Sequence, residues 1–285
     1  MIDAGRDGGA STEAIQAHYD TGNEFYQLWL DPTLTYSCAL WDDANSLAEA
    51  QVHKLDYHVE EARGAGAARV LDIGCGWGSL LERLTLVHGV RRAVGITLSE
   101  AQVKYVEARA LDGVEVRFES WADHQSEEPY DAIISIGAAE HFARPETASD
   151  ERIEIYRHFF ERCRALLRPG GFLSLQTMAY GMGRFRASAL ASIFPESDLP
   201  RLVELVEAME RSFQIVRLRN DPQHYSRTGR IWLDAIRRNR EEIVSLVGVA
   251  RTLEYERFLS SGMKGYNAGV FNLYRMTLQR VDLGD

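Results

Sequence analysis

"VLDIGCGWGSL", residues 70–80, sets Gly74, Gly76 and Gly78 at every second position behind Asp72. The order reads as a β-strand that ends in a glycine-rich turn and opens a helix near Ser79. Glycines there let the backbone approach a ligand closely, and a helix start aims N–H groups and a dipole at it. A dinucleotide site prefers G-x-G-x-x-G with an acid closing the next strand. Here the spacing is G-x-G-x-G, and "VGITLSEAQ" (94–102) puts Thr97 in the place of that acid. A phosphate-binding loop would carry Lys followed by Ser or Thr, and residues 74–80 contain no lysine. The loop points to a nucleotide-like ligand of another kind.

Outward from the loop, strand and helix alternate. "ARVLDIG" (68–74), "RAVGITLS" (92–99), "VEVRFES" (114–120), "YDAIISIG" (130–137) and "FLSLQTMA" (172–179) read as strands. Helices are expected in residues 79–89, 100–113 and 151–171, with "LRPGG" closing the last and turning into a strand. Two further strands are expected in 212–220 and 271–281, separated by helices from Thr228 to Val247 and Arg251 to Ser261. The rhythm is that of an α/β, mostly parallel, doubly wound sheet with helices on both faces. Upstream, "SLAEAQVHKLDYHVEEARG" (46–64) has a helix start at Ser46 and a capping-box-like Glu49. Shorter helices are expected before it, broken near Thr21 and Gly22.

The 285 residues are 45% hydrophobic and 26% charged, ordinary for a globular chain. Residues 1–12 read as disordered or as an arm, and 13–285 as one domain. Within it, 13–64 form a helical cap, 65–179 a ligand-binding core, and 180–212 with 226–265 a lid over the acceptor. The net charge of −10 argues against duplex nucleic acid or an anionic membrane as the obligate partner. Cys38, Cys75 and Cys163 form no metal-ligand spacing and no disulfide framework, and no apolar run is long enough to span a bilayer. A cytoplasmic protein with no metal is expected. The arm and the helix at 46–63 could mediate exchange between protomers.

The spacing D-x-G-x-G-x-G after a first strand is the signature of Rossmann-like, class I S-adenosylmethionine-dependent methyltransferases. Together with "HYDTGNEFYQLWLDPTLTYSCALW" (18–41), "SIGAAEHF" (135–142) and "PQHYSRTGRIW" (222–232), the chain resembles the cyclopropane fatty acid and mycolic acid cyclopropane synthases. The resemblance implies a seven-stranded sheet with a helical lid. It places Tyr36 and Ser37 over the methionine end of S-adenosylmethionine, and Asp72, Gly74 and Gly76 beneath it. Thr97, Leu98 and Gln102 would surround ribose and adenine, with Trp121 and Ala122 at the adenine and Ile136 beside the sulfonium. Ala122 stands where the family commonly has an acid, a contact that Asp123 would supply one position on.

For an alkene acceptor, methyl transfer leaves a carbocation, which Glu140 and the face of Tyr225 would stabilise. Cys38, Glu140 and Tyr225 map onto groups that hold a bicarbonate base in the family. The strand after "LRPGG" carries Gln176 in place of a histidine, and glutamine cannot shuttle a proton. Glu140, His141 or Tyr225 would then take the final proton. The acceptor pocket is expected at Ala139, Gln176 and Tyr19, with Ala139 replacing a bulky aromatic and enlarging the cavity. The favoured acceptor is a C=C bond of a prenyl or terpenoid metabolite, similar to C-methyltransferases that act on a geranyl side chain in teleocidin biosynthesis, with cyclisation as an option. The alternatives are an unsaturated fatty acyl chain, a small-molecule amine, or a catalytically silent cofactor-binding partner.

Overall fold

The computed structural model describes residues 9–19, 21–183 and 192–282. Four strands, β1 (Arg69–Ile73), β2 (Arg92–Thr97), β3 (Val114–Phe118) and β4 (Tyr130–Ile136), pair in parallel with β1 between β2 and β4. A fifth, β5 (Leu167–Tyr180), runs parallel to β4. The last strand, β7 (Phe271–Arg280), returns antiparallel between β5 and β6 (Phe213–Asn220). Among the described residues the sheet order is β3-β2-β1-β4-β5-β7-β6. The order reverses between β1 and β4, and in such sheets the crevice beyond those strand ends holds the ligand.

Helices cover both faces because their inward stripes are apolar. On one face α6 (Ser149–Leu166) buries Tyr156, Phe159, Phe160 and Cys163. On the other, α3 (Leu47–Glu61) and α4 (Ser79–Leu86) bury Leu55, Val59, Leu80, Leu81 and Leu84, with α5 (Glu100–Ala108) crossing from β2 to β3. The Ser46 hydroxyl caps α3, accepting from the Glu49 N–H at 3.2 Å. The Glu49 carboxylate reaches back to the amide of Asn45, one residue beyond a true capping box.

Two short helices, α1 (Thr12–Tyr19) and α2 (Asn23–Gln27), precede the sheet on either side of Gly22, as the sequence suggests. From α2, Phe25 and Tyr26 join Trp29, Trp77, Trp232 and Tyr255 in a separate aromatic core beside the sheet. Each such burial contributes roughly 1.5–3 kcal/mol, enough to fix the cap without a long helix.

Three expectations shift. Pairing of β5 begins at Leu167, opposite Tyr130, and residues 168–171 bulge before Phe172 meets Ala132, so "LRPGG" lies inside the strand's span. The first lid helix is α8 (Pro222–Arg238), started by Pro222, which lacks the N–H a first turn leaves unpaired. The second, α9 (Arg240–Asn267), starts before the expected Arg251 and is two helices that meet at Gly248, whose φ of 79° and ψ of 165° are not helical, so the break expected near 248–250 is present. Between β5 and β6 the described residues hold α7 (Leu202–Met209); of the irregular stretch expected from 180 to 212, residues 184–191 lie outside them.

Candidate active site

The loop from Asp31 to Trp41 is fixed from several sides. The Asp31 carboxylate accepts from the amides of Thr33 (2.9 Å) and Thr35 (3.0 Å). From α3, Gln51 Nε2 donates to the carbonyls of Thr35 (3.1 Å) and Ser37 (2.9 Å). From α8, Thr228 Oγ1 accepts from Trp41 Nε1 at 2.9 Å, and from β7 Arg275 donates to the Ala39 carbonyl at 3.0 Å. Residues 36–38 are thus held over the crevice at the switch point.

A cavity of about 160 Å³ opens there. Tyr36, Ser37, Asp72, Gly74 and Gly76 line it at one group of walls, and Thr97, Leu98, Gln102, Trp121 and Ile136 at another. Gly74 has φ 82°, and a Cβ on it would lie 2.7 Å from the Ala138 Cβ, so neither strain nor space allows a larger residue. Thr97 Oγ1 donates to Gln102 Oε1 at 2.6 Å, which fills the place of a ribose-binding acid with a neutral pair. Ala122 packs against the core beside Trp121 and does not line the cavity. His141 does line it. Its Nδ1 lies 2.6 Å from Ser197 Oγ, and burial pushes its pKa down to about 4.

Two lining groups escaped the sequence reading. Gly9 and Ala10 form part of the wall, with the Ala10 amide donating to the His141 carbonyl at 2.8 Å. Lys54, on the inner face of α3, lies within the wall as well. Gln51, Lys54 and His58 alternate with Leu55 and Val59 on one stripe, a spacing that could have marked them as inward-facing. The polar and charged groups at Ser37, Lys54 and Asp72, with the apolar faces of Leu98, Trp121 and Phe142, suit a molecule with an amino-acid end and a flat ring, such as S-adenosylmethionine.

A second cavity, about 40 Å³ and mostly apolar, is lined by Met178, Tyr225, Trp232, Phe258, Met263 and Tyr266 among others. Tyr225 stacks on Tyr266 with ring centres 4.8 Å apart and planes 12° from parallel. Tyr36, a wall of the first cavity, has its ring 5.4 Å from that of Trp232, a wall of the second. Glu140 lines neither cavity; the amide of Met178, which lines the second, donates to Glu140 Oε1 at 2.7 Å. Its Oε2 is buried with no hydrogen-bond partner among the described residues. Burial pushes the Glu140 carboxyl up to about 7.

The other expected acceptor residues sit elsewhere. Ala139 is fully buried in the core under α6, with Tyr156 Oη donating to its carbonyl at 3.2 Å, and lines neither cavity. The small residue there makes room for α6 aromatics, which corrects the expectation of an enlarged acceptor cavity. Gln176 is enclosed: its Oε1 accepts from Arg275 Nε at 2.8 Å, and its Nε2 donates to the Cys38 carbonyl at 3.3 Å. Cys38 is fully buried, its thiol pushed up to about 11 by burial, with Arg275 at 3.8 Å from the sulfur. Arg275 is itself ion-paired with Asp221, and His58 contacts Ser174 and Gln176. The side chain of Tyr19 lies outside the described residues.

The chain's similarities agree with this layout. The family described as mycolic acid cyclopropane synthetase matches residues 8–276. Cyclopropane mycolic acid synthase 3 of Mycobacterium tuberculosis is 31% identical over 93% of this chain and 96% of its own length. Cyclopropane mycolic acid synthase 2 of Mycobacterium leprae is 34% identical over 83% of each chain. Among solved structures, the cyclopropane synthase MmaA2 of M. tuberculosis superposes with a TM-score of 0.85 at 29% identity, covering 96% of this chain and all of that one. The mycolic acid cyclopropane synthase CmaA1 complexed with SAH and CTAB has the same TM-score at 28% identity, covering 95% and 99% of the two chains. Two structures share the fold alone. They are a coclaurine N-methyltransferase at 22% identity (TM-score 0.79; 96% and 84% covered) and a Streptomyces coelicolor geranyl diphosphate C-methyltransferase at 16% (TM-score 0.68; 95% and 98% covered). No described helix is long and apolar enough to cross a membrane. The chain belongs to the mycolic acid cyclopropane synthetase family and is an S-adenosylmethionine-dependent methyltransferase.

Proposed function

We propose that the protein transfers a methyl group to a C=C bond of an unsaturated acyl chain, forming a carbon–carbon bond through a carbocation on the acceptor. The observation that carries this reading is Glu140, a buried carboxyl with one oxygen unpaired, whose other oxygen accepts from the amide of Met178 in the wall of an apolar, tyrosine-lined cavity. An acyl acceptor takes precedence over the terpenoid favoured by the sequence. The mycolic acid synthases are 30% or more identical along most of the chain, while the geranyl enzyme shares only the fold.

Bound in the first cavity, S-adenosylmethionine would supply an electrophilic methyl group. Tyr36, in the wall of the first cavity with its ring 5.4 Å from that of Trp232 in the second, would aim the alkene at that methyl, where positioning supplies most of the rate enhancement. The alkene π pair forms the new bond, and positive charge remains on the adjacent acceptor carbon. Ionised Glu140 and the stacked Tyr225 and Tyr266 rings face that charge. Glu140 Oε2 then takes the proton, from the chain to leave a methylated alkene or from the new methyl to close a ring. A carboxyl with a pKa of about 7 suits this task near neutral pH. Against a bicarbonate base, Gln176 Nε2 donates to the Cys38 carbonyl, Gln176 Oε1 accepts from Arg275, and neither Gln176 nor Cys38 lines a cavity. No step is routed through it.

Ten of the eleven expected cofactor residues line the first cavity, which supports their assignment to the cofactor; Ala122 is the exception. His141 also lines the first cavity and is assigned to positioning there. Three buried, unpaired cysteines suit a reducing cytoplasm. The test is incubation with methyl-labelled S-adenosylmethionine and a panel of unsaturated acyl, prenyl and amine acceptors, read by mass and NMR. A new C–C bond on an acyl alkene is expected. Methyl on nitrogen, or turnover of prenyl acceptors alone, overturns the reading.

A further inference from the structure

Two opposite charges border the first cavity without the partners that burial demands. Lys54 is 1% exposed. Its Nζ donates to Ser37 Oγ at 2.7 Å, the one hydrogen bond it makes among the described residues, and no described carboxylate lies within ion-pair distance. An ammonium has three donors, so two remain for something else. Asp72 is 3% exposed, and its carboxylate accepts no hydrogen bond among the described residues. Leaving a buried charge unpaired costs several kcal/mol. Burial accordingly pushes Lys54 down to about 7 and Asp72 up to about 7, while each pulls the other back toward its charged form.

Neither group is needed for packing alone. Gln51, one turn away on α3, already fixes the loop through the carbonyls of Thr35 and Ser37. A methionine at position 54 would fill the same volume without the electrostatic cost. What the cavity gains from the pair is a cation and an anion beside the glycine turn, the complement of an α-amino-acid zwitterion.

We propose that Lys54 is a further cofactor-binding residue, donating from Nζ to the α-carboxylate of the S-adenosylmethionine or S-adenosylhomocysteine amino-acid end, with Asp72 facing the α-ammonium. The proposal rests on reading the first cavity as the cofactor site. On binding, the ligand carboxylate supplies the acceptor that Lys54 lacks, and Ser37 Oγ keeps the ammonium aimed.

The test is calorimetry with four ligands: S-adenosylhomocysteine, its decarboxylated analogue, its desamino analogue, and methylthioadenosine, which has no amino-acid end. Wild type should bind all four. K54M should weaken S-adenosylhomocysteine and the desamino analogue by roughly tenfold or more, as expected for a lost charge-assisted hydrogen bond. The decarboxylated analogue and methylthioadenosine should change little. Equal loss for all four ligands would make Lys54 a support for Ser37 only, and unchanged S-adenosylhomocysteine affinity would remove it from the site; either result overturns the proposal. Should K54M not fold, K54Q keeps a donor for Ser37 and carries the same comparison. Failure of wild type to bind methylthioadenosine and S-adenosylhomocysteine would instead overturn the reading of the cavity.

Discussion

Glu140 concentrates the conflict between stability and chemistry in one side chain. Its carboxyl is buried, and its pKa of about 7 lies above the ordinary value of 4.5. The protonated form is therefore favoured by folding, and the stability it brings is complete below pH 4.5 and is lost as pH rises through about 7. The proposed reaction needs the opposite form. Glu140→Gln keeps an acceptor for the Met178 amide and removes the charge. Turnover should fall by roughly two to four orders of magnitude while S-adenosylhomocysteine affinity stays unchanged. In the same variant the melting temperature should exceed wild type above pH 7 and converge with it below pH 5, checked by calorimetric scans across that range. At this scale Asp72, Thr97 and the alternating glycines were legible, because a turn with that spacing has few other uses. Lys54, His58 and Arg275 were not. A lone basic residue on an amphipathic stripe reads as solvated until the neighbouring loop is known to close over it.

Among the elements, β7 shows how a late strand completes an early site. Arg275 is fully buried in it and bonds Gln176 of β5, Asp221 before α8, and the carbonyl of Ala39 beside Cys38. Arg275→Met should cost roughly 3 kcal/mol in urea unfolding, since it takes the donor from buried Gln176 and leaves Asp221 with Arg219 alone. The strands and crossover helices followed from alternation and caps. The lid boundaries did not follow so closely: the first lid helix starts at Pro222 instead of Thr228, and Gly229 allows α8 to approach α9, where an added Cβ would lie 3.3 Å from Met263 Cγ. Packing between helices decided what propensity left open.

For the molecule as a whole, the chain's beginning closes a wall built by its middle. Arg144 Nε donates to the Gly9 carbonyl at 2.8 Å, and the Ser11 amide donates to Glu196 at 2.7 Å, so the arm joins both sides of the His141 segment. Removing residues 1–11 should weaken S-adenosylhomocysteine binding roughly three- to tenfold, the worth of about one net hydrogen bond, while urea unfolding of the ligand-free protein stays close to wild type. Fluorescence titration of the truncated and full chains checks this. An arm was expected from composition; its contact with His141 was not, because such a pairing joins residues distant in sequence through main-chain atoms that carry no residue-specific signal.

The Tyr36 ring is shared property. It belongs to the wall of the first cavity, and its centre lies 5.4 Å from that of Trp232 in the wall of the second. On the proposed assignment of cofactor to the first cavity and acceptor to the second, a tilt that one occupant imposes on the ring would be felt by the other, and the two binding equilibria would be linked. By reciprocity, whatever factor a seated acceptor applies to the affinity of spent cofactor, spent cofactor applies to the acceptor.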